Sequence, residues 1–408
     1  MKPLILLKYV TGKMIISIEE IKRLAEEIYP FQVNLRRHLH QHPELSNMEF
    51  ETTKFIKEQL KKSGIDIKPL KMRTGTVGLI NHRMKNAVAI RSDIDALPIT
   101  EAVKLPFRSG TVGVMHACGH DVHMATVLGA AVILNRFRKQ LPGCIKFIFQ
   151  PAEESPPGGA EMMIKEGVLS KPEVKMIFSL HTDPTLPVGR ITLRDGASMA
   201  SVTDFDITVI GVGGHGAVPH RAVDAIAVAA EIVESVQKII SRDISPMNPA
   251  VITLGTINGG TARNIIADRV VLSGTARTLD AEVRKLIPRL IKRTLDGICR
   301  ARGAKYEFSI LAGYPVLENN PAANKILGES YAALFGKKYV GETPQTMGGE
   351  DYSFYLQKVP GAMFRLGVRN DKIHANKPWH SPEFIADERS IYYGTALLIH
   401  AVLSYWDG

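Results

Sequence analysis

Ile145-Lys-Phe-Ile-Phe-Gln150 is a short apolar run that stops at Pro151, and it reads as a buried strand of an α/β sheet. Two further runs share its form. They are Asn86-Ala-Val-Ala-Ile-Arg-Ser92 and Met176-Ile-Phe-Ser-Leu-His181, each leading into a polar or Pro/Gly-rich segment. Between the strands at 86–92 and 145–150 lies Val122 to Phe137, a long small-residue stretch with helical character. Strands alternating with helix predict a mixed, mostly parallel sheet covered on both faces. Upstream, residues 18–28 and 47–62 have the spacing of amphipathic helices, the second ending at Gly64.

Downstream the rhythm changes near residue 197. Asp204 to Val212 alternates as a half-exposed strand, and Ala222–Ile240 reads as a long helix. Strands at 249–257 and 268–278, a helix at 281–302 and a strand at 304–311 follow. The β-α-β-β-α-β order predicts a ferredoxin-like α+β domain inserted at 197–311. The α/β pattern then resumes with a helix at 321–335, a strand at 361–367 and a terminal helix at 387–405. Residues 1–196 and 312–408 are therefore expected to form one domain around the insertion. A length of 408 residues, more than one core usually serves, agrees with two domains.

Composition narrows the class. Hydrophobic residues make up 45% and charged residues 23%, ordinary for a soluble globular chain. No apolar run approaches the roughly 20 residues of a membrane span. The opening Met1-Lys-Pro-Leu-Ile-Leu-Leu has an apolar core of about five residues, against the roughly 7–15 of a secretory leader. Met14 would serve equally as a start, and a cytoplasmic location is expected. The net charge of +10 raises nucleic-acid binding, but the basic residues are scattered and no zinc-finger, helix-turn-helix or aromatic RNA-binding signature accompanies them. A solvated basic surface is the simpler reading. Three dispersed cysteines, at 118, 144 and 299, do not make a disulfide framework, and Cys144 and Cys299 read as small buried residues.

Four stretches could carry chemistry. In His116-Ala-Cys-Gly-His-Asp-Val-His123, five ionisable or metal-binding side chains crowd into eight positions at a predicted helix start. Thiolate and imidazole suit zinc, cobalt or manganese-type ions, and Gly119 lets the backbone turn so that side chains converge. A polar loop with a chance histidine cluster is the alternative. Gln150-Pro-Ala-Glu-Glu154 directly follows a strand, where ligands of open α/β sheets gather. Adjacent buried carboxylates need cations, so one glutamate could bind metal while its neighbour moves a proton; an exposed acidic loop is the alternative. His181 ends a strand, and His380 lies in Trp379-His-Ser-Pro-Glu-Phe384. Each alone is as compatible with a structural role.

Together with Arg-Arg-His-Leu-His-Gln-His-Pro-Glu-Leu (36–45), Arg91-Ser-Asp-Ile-Asp-Ala-Leu-Pro98, Gly213-Gly-His-Gly-Ala-Val-Pro-His220, Gly259-Gly-Thr-Ala-Arg-Asn264 and Met347-Gly-Gly-Glu-Asp-Tyr352, these motifs make the chain resemble a known family. It is the aminoacylase/carboxypeptidase branch of the co-catalytic metallopeptidases. Hippurate hydrolases, N-acetyl-diaminopimelate deacetylases and auxin-conjugate hydrolases belong to that branch. The match runs in order from about residue 31 to the C-terminus. Gly216 stands where Ala is usual and Tyr352 where Phe is commoner; neither is a proposed ligand.

The resemblance implies a metal-dependent amidohydrolase acting on N-acyl amino acids or short peptides. It implies two divalent ions per subunit (zinc, or cobalt, manganese or nickel), held by Cys118, His120, Glu154, His181 and His380, with Cys118 shared between them. Glu153 would be the general base and acid. The inserted domain would act as a lid and dimerisation module, giving a homodimer or larger homo-oligomer. His215 would stabilise the oxyanion by reaching into the partner's active site. Asn264 and Arg277 offer an amide and a bidentate fork to a substrate carboxylate. Asp95 is expected to orient a ligand histidine, Asp93 to cap a turn, and His38, His40 and His42 to be structural neighbours of the site. Two other readings are N-acetyl-diaminopimelate deacetylation and a non-catalytic metal-stabilised binding protein of the same fold. The latter would be expected to lack the glutamate base or a ligand, and this sequence keeps all six residues.

Overall fold

The computed structural model describes residues 15–311 and 313–407. Met1, Met14 and the apolar opening, on which the leader and start-site expectations rest, lie outside the described residues. Two compact units emerge. One comprises the chain up to Gly196, Glu318–Pro344 and the chain from Phe354; the other comprises Ala197–Leu317 and Gln345–Ser353. The second unit thus extends beyond the stretch 197–311, because Met199 bridges Thr346 and the Ala200 amide donates to Thr346 and Gly348 carbonyls.

In the first unit the apolar runs become strands β1 (Asp66–Ile67), β2 (Thr76–Ile80), β3 (Asn86–Asp93), β4 (Cys144–Gln150) and β5 (Glu173–Pro187). The eight-stranded sheet runs β1-β2-β4-β3-β5 and continues through Gly361–Arg369, Ile191–Leu193 and Val340–Glu342. β3 lies parallel to both β4 and β5, and β5 is parallel to Gly361–Arg369; β2 pairs antiparallel with β4. This is the mixed, mostly parallel α/β sheet read from the sequence. β4 is buried along its whole length, which explains its unbroken apolar pattern.

Helices α1 (Ile18–Gln41), α2 (Phe50–Lys62) and α3 (His120–Arg136) cover the sheet with the terminal helix Arg389–Asp407. Leu24, Ile28 and Leu35 join Val127, Leu134, Leu398 and Val402 in one core. The sequence pattern ends the first helix at residue 28, yet α1 continues through Pro30 to Gln41. Pro30 forfeits one amide donor, and the buried positions Gln32, Leu35, Arg36 and Leu39 keep helical spacing past it. Gln32 donates to the Ala125 carbonyl and to Thr395 Oγ1, tying three helices together.

Arg36 Nε donates to Asp121 Oδ2 at 2.7 Å, and the same oxygen meets His40 Nδ1 at 2.9 Å. His40 Nε2 lies 3.2 Å from Glu101. Burial opposes the Asp121 charge, but Arg36 and His40 outweigh it and hold the carboxyl well below the usual range. Arg36→Ala strands Asp121 and is expected to cost about 3–5 kcal/mol in urea unfolding at neutral pH. The difference from the native protein should shrink below pH of about 4. A carboxylate with a depressed folded pKa contributes stability above its unfolded value and loses it as pH falls. A constant difference down to pH 3 would exclude this ion pair as the cause.

The second unit carries an antiparallel sheet in the order Ala250–Gly259, Arg269–Thr278, Ser201–Ile210, Lys305–Ile310, with helices Ala225–Arg242 and Ala281–Arg302. Asp224 and Asp280 cap the two helices through their side chains. Phe205, Ile207, Val270 and Leu272 pack with Ile232, Val236, Ile287 and Ile291. This is the β-α-β-β-α-β unit expected of the insertion. Among the described residues no helix is long and apolar enough to cross a membrane.

Candidate metal centre

Cys118, His120, Glu154, His181 and His380 all belong to the first unit and meet near the carboxyl ends of β3 and β4. His181 does not end a strand, as its apolar run suggests, but lies inside β5, which continues to Pro187. Cys118, His120 and His181 offer donor atoms within 4.8 Å of one another, as do Cys118, Glu154 and His380, and His120, Glu153 and Glu154. Cys118 Sγ is 3.4 Å from His181 Nε2, and Glu154 Oε1 is 3.8 Å from His120 Nε2 and 3.5 Å from His380 Nε2. Ligand atoms around one tetrahedral zinc, at bond lengths of about 2.0–2.3 Å, are separated by roughly 3.3–3.6 Å. The spacing fits.

The local fold commits the far nitrogen of two of the three rings. His120 Nδ1 donates to the Asp95 carbonyl at 2.9 Å, and His181 Nδ1 donates to the Thr182 carbonyl at 2.8 Å. His120 Nε2 and Glu154 Oε1 are buried and have no hydrogen-bond partner, the condition a cation would relieve. Burial, then the Arg365 charge, keeps His181 neutral with its pKa well below normal; neutral imidazole is the ligand form. Burial and the Glu154 charge push the Cys118 thiol up, so only a bound cation would make it the thiolate that coordinates. Gly119 adopts φ +87, and a Cβ there would stand 2.7 Å from Thr182 Oγ1. His380 also takes a left-handed φ of +61, its amide donating to the Ala117 carbonyl.

Several supporting residues escaped the sequence reading. His123 donates from Nδ1 to Asp93 Oδ1 at 2.7 Å and accepts the Thr182 amide at Nε2, so both its nitrogens are occupied. Arg91 Nη1 holds the other Asp93 oxygen at 2.8 Å. Asp93 is therefore a fully buried ion-pair partner, not a turn cap. Thr182 donates its hydroxyl to the Cys118 carbonyl, and its own carbonyl accepts from Trp379 Nε1. His123 lies one helical turn from His120, a spacing that places both on one face. Asp95 touches His120 mainly through its main-chain carbonyl; its Oδ2 accepts from Ser46 Oγ at 2.7 Å and the Glu154 amide at 3.0 Å.

His215, Asn264 and Arg277 belong to the second unit. His215 pairs with Ile265, its Nδ1 accepts the Ala217 amide, and the Asn264 carbonyl accepts the Gly216 amide. His215 and Asn264 line one cleft of about 770 Å³ with Gly213, Asn258 and Thr261. Arg277 is not among its lining residues; its Nη1 donates to the Met347 carbonyl. His38 stacks on Phe55 at the surface and His40 is buried in the Asp121 network.

Residues 89–403 match the family model for peptidase family M20/M25/M40. The chain belongs to that family. It is 40% identical over 361 residues to an N-acetylcysteine deacetylase of Bacillus subtilis strain 168, covering 88% of this chain and 92% of that protein. It is 39% identical over 391 residues to thermostable carboxypeptidase 2 of Saccharolobus solfataricus, covering 95% and 98%. The crystal structure of the Bacillus subtilis YXEP protein, described as a dinuclear metal-binding peptidase of the M20 family, superposes with TM-score 0.80 at 35% identity, covering 93% and 99%. The M20 membership bears out both the resemblance and the enzyme class, a metal-dependent amidohydrolase of the aminoacylase/carboxypeptidase kind. The mixed α/β sheet with a separate antiparallel domain is likewise borne out.

Proposed function

We propose that this M20 enzyme hydrolyses the amide bond of N-acyl amino acids or short peptides, with two divalent ions held by Cys118, His120, Glu154, His181 and His380. The observation that carries the reading is the convergence of these five donors, Cys118, His120 and His181 buried, Glu154 half-buried and His380 at the exposed side, with the buried Glu153 carboxylate beside His120 and Glu154. Bound there, divalent ions polarise a carbonyl and lower the pKa of water, from 15.7 to about 7 at a single zinc. Glu153 takes the proton of the attacking water and returns it to the leaving nitrogen, a role worth about 10²–10⁴-fold. Thr182, Asp93 and His123 hold the ligand side chains in place. The deacetylase and carboxypeptidase names of the relatives are consistent with an acylated amino acid as substrate.

His215 is the proposed oxyanion donor, with Asn264 and Arg277 the proposed partners of a substrate carboxylate and the second unit a lid and dimerisation module. His215→Ala should lower kcat by about 10²–10³-fold with an unchanged melting temperature. Unchanged kinetics would remove His215 from the reaction. The experiment that tests the whole reading is a panel of N-acyl amino acids and dipeptides, assayed after zinc, cobalt, manganese or nickel is restored to metal-stripped protein. Metal-dependent release of the free amino acid is expected; no hydrolysis of any member with any metal would refute the reading.

A further inference from the structure

The loop between α1 and α2 belongs to no step of the reaction, yet it is built against the carboxylates that do. Glu44, Ser46 and Glu49 are the side chains through which it reaches other segments. The Glu44 side chain accepts the Glu51 and Thr52 amides at the start of α2, and its carbonyl accepts the Ala96 amide. Ser46 holds Asp95 Oδ2, the oxygen that also takes the Glu154 amide. Glu49 is fully buried, and its Oε1 accepts the amides of Asn47 at 3.0 Å and of Ala152 at 2.8 Å.

Ala152 immediately precedes Glu153. It sits at φ +52, a left-handed conformation that an L-residue of this kind keeps only where its surroundings enforce it. Its carbonyl accepts the Gly159 amide at 3.0 Å, and Glu49 takes its N–H. Both backbone groups of this strained residue are thus tied down, and the tie on the amide side comes from a residue 103 positions upstream.

We propose that Glu49 is a positioning residue, which sets the Ala152–Glu153–Glu154 turn through the hydrogen bond its carboxylate accepts from the Ala152 amide. The inference rests on the reading above that Glu153 and Glu154 are the working carboxylates. What matters is the reach of the side chain and an acceptor oxygen at its end. Burial, and then the Asp95 charge, push the Glu49 carboxyl up to about 7, and both its protonated and ionised forms present that acceptor. A role through charge would make Asp the better substitute; a role through reach makes Gln the better one.

Glu49→Gln and Glu49→Asp are therefore compared on the full chain. Glu49→Gln should keep kcat within about threefold of native. Glu49→Asp, one methylene shorter, should lose about 10²-fold in kcat, the scale of a 1 Å misplacement. KM should stay within about twofold, and metal content and melting temperature should hold. Hydrogen exchange of the peptide spanning 150–155 should quicken in Glu49→Asp alone. Equal turnover in both variants, a worse Glu49→Gln, or a loss of kcat that tracks lost metal would overturn the proposal. Exchange reads the clamp without turnover, so a native enzyme inactive on the whole panel would sink the functional reading and leave the clamp to be judged separately. Should Glu49→Asp not fold, Glu49→Gln decides: native-like kcat and exchange support the clamp, and a fall of tenfold or more refutes it.

Discussion

Glu153→Gln should reduce kcat by about 10³–10⁴-fold while the protein keeps its metal. The substitution preserves the volume of a buried side chain and removes only the ability to take a proton. General acid–base catalysis by one group is typically worth about 10²–10⁴-fold, and the upper end applies because the same carboxylate must also protonate an amide nitrogen, a poor leaving group. Substrate binding does not use that proton, so KM should stay near native. Metal analysis of the purified variant separates the two glutamates. Retained metal with lost turnover assigns the base to Glu153; loss of metal would mean that Glu153 and Glu154 have exchanged roles.

His120→Ala is expected to have the second-largest effect, through the opposite route. His120 shares donor groupings with Cys118 and His181, and with Glu153 and Glu154. Removing its Nε2 takes a ligand from the centre of the cluster. Bound metal should fall, and turnover with it by about 10³-fold, since Lewis-acid stabilisation is worth several kcal/mol. Stability supplies an independent readout. Metal at 100 times its Kd stabilises a protein by about 2.7 kcal/mol, so added zinc should raise the melting temperature of the native protein and leave His120→Ala unmoved. A variant that still binds two equivalents and shows the native thermal shift would remove His120 from the ligand set.

Among the donors proposed as ligands, Cys118 and His120 stand at a helix start and His181 closes an apolar run, but Glu154 and His380 lie in loops, and it is the set of motifs shared with the metallopeptidases, not local pattern, that singles out the five. The β-α-β-β-α-β unit was legible from the alternation of its strands and the length of its helices, although the first helix starts at Ala225, after the Asp224 cap, and not at Ala222. What escaped was long-range. The Asp93–His123–Thr182 network joins residues from β3, α3 and β5, and no local periodicity encodes which buried polar group meets which. The spacing at 18–28 captures only the first part of α1, because the burial that carries the helix past Pro30 to Gln41 is tertiary. Gln345–Ser353 pairs with the second unit through a few bonds around residues 198–200, too short a segment for any repeat to show.

The sheet of the first unit is assembled out of chain order, and this has a consequence for biosynthesis. β5, which ends at Pro187, is flanked by Gly361–Arg369, and His380 lies later still. At about 5–20 residues per second, a ribosome takes roughly 10–35 s to travel from the one strand to the other. For that interval β5 waits with one edge unsatisfied, a state open to wrong pairing between nascent chains. His380, the last of the proposed donors, is made later still, so on that proposal cations load at the end of translation or after it, and a cell short of chaperones would meet the half-built sheet.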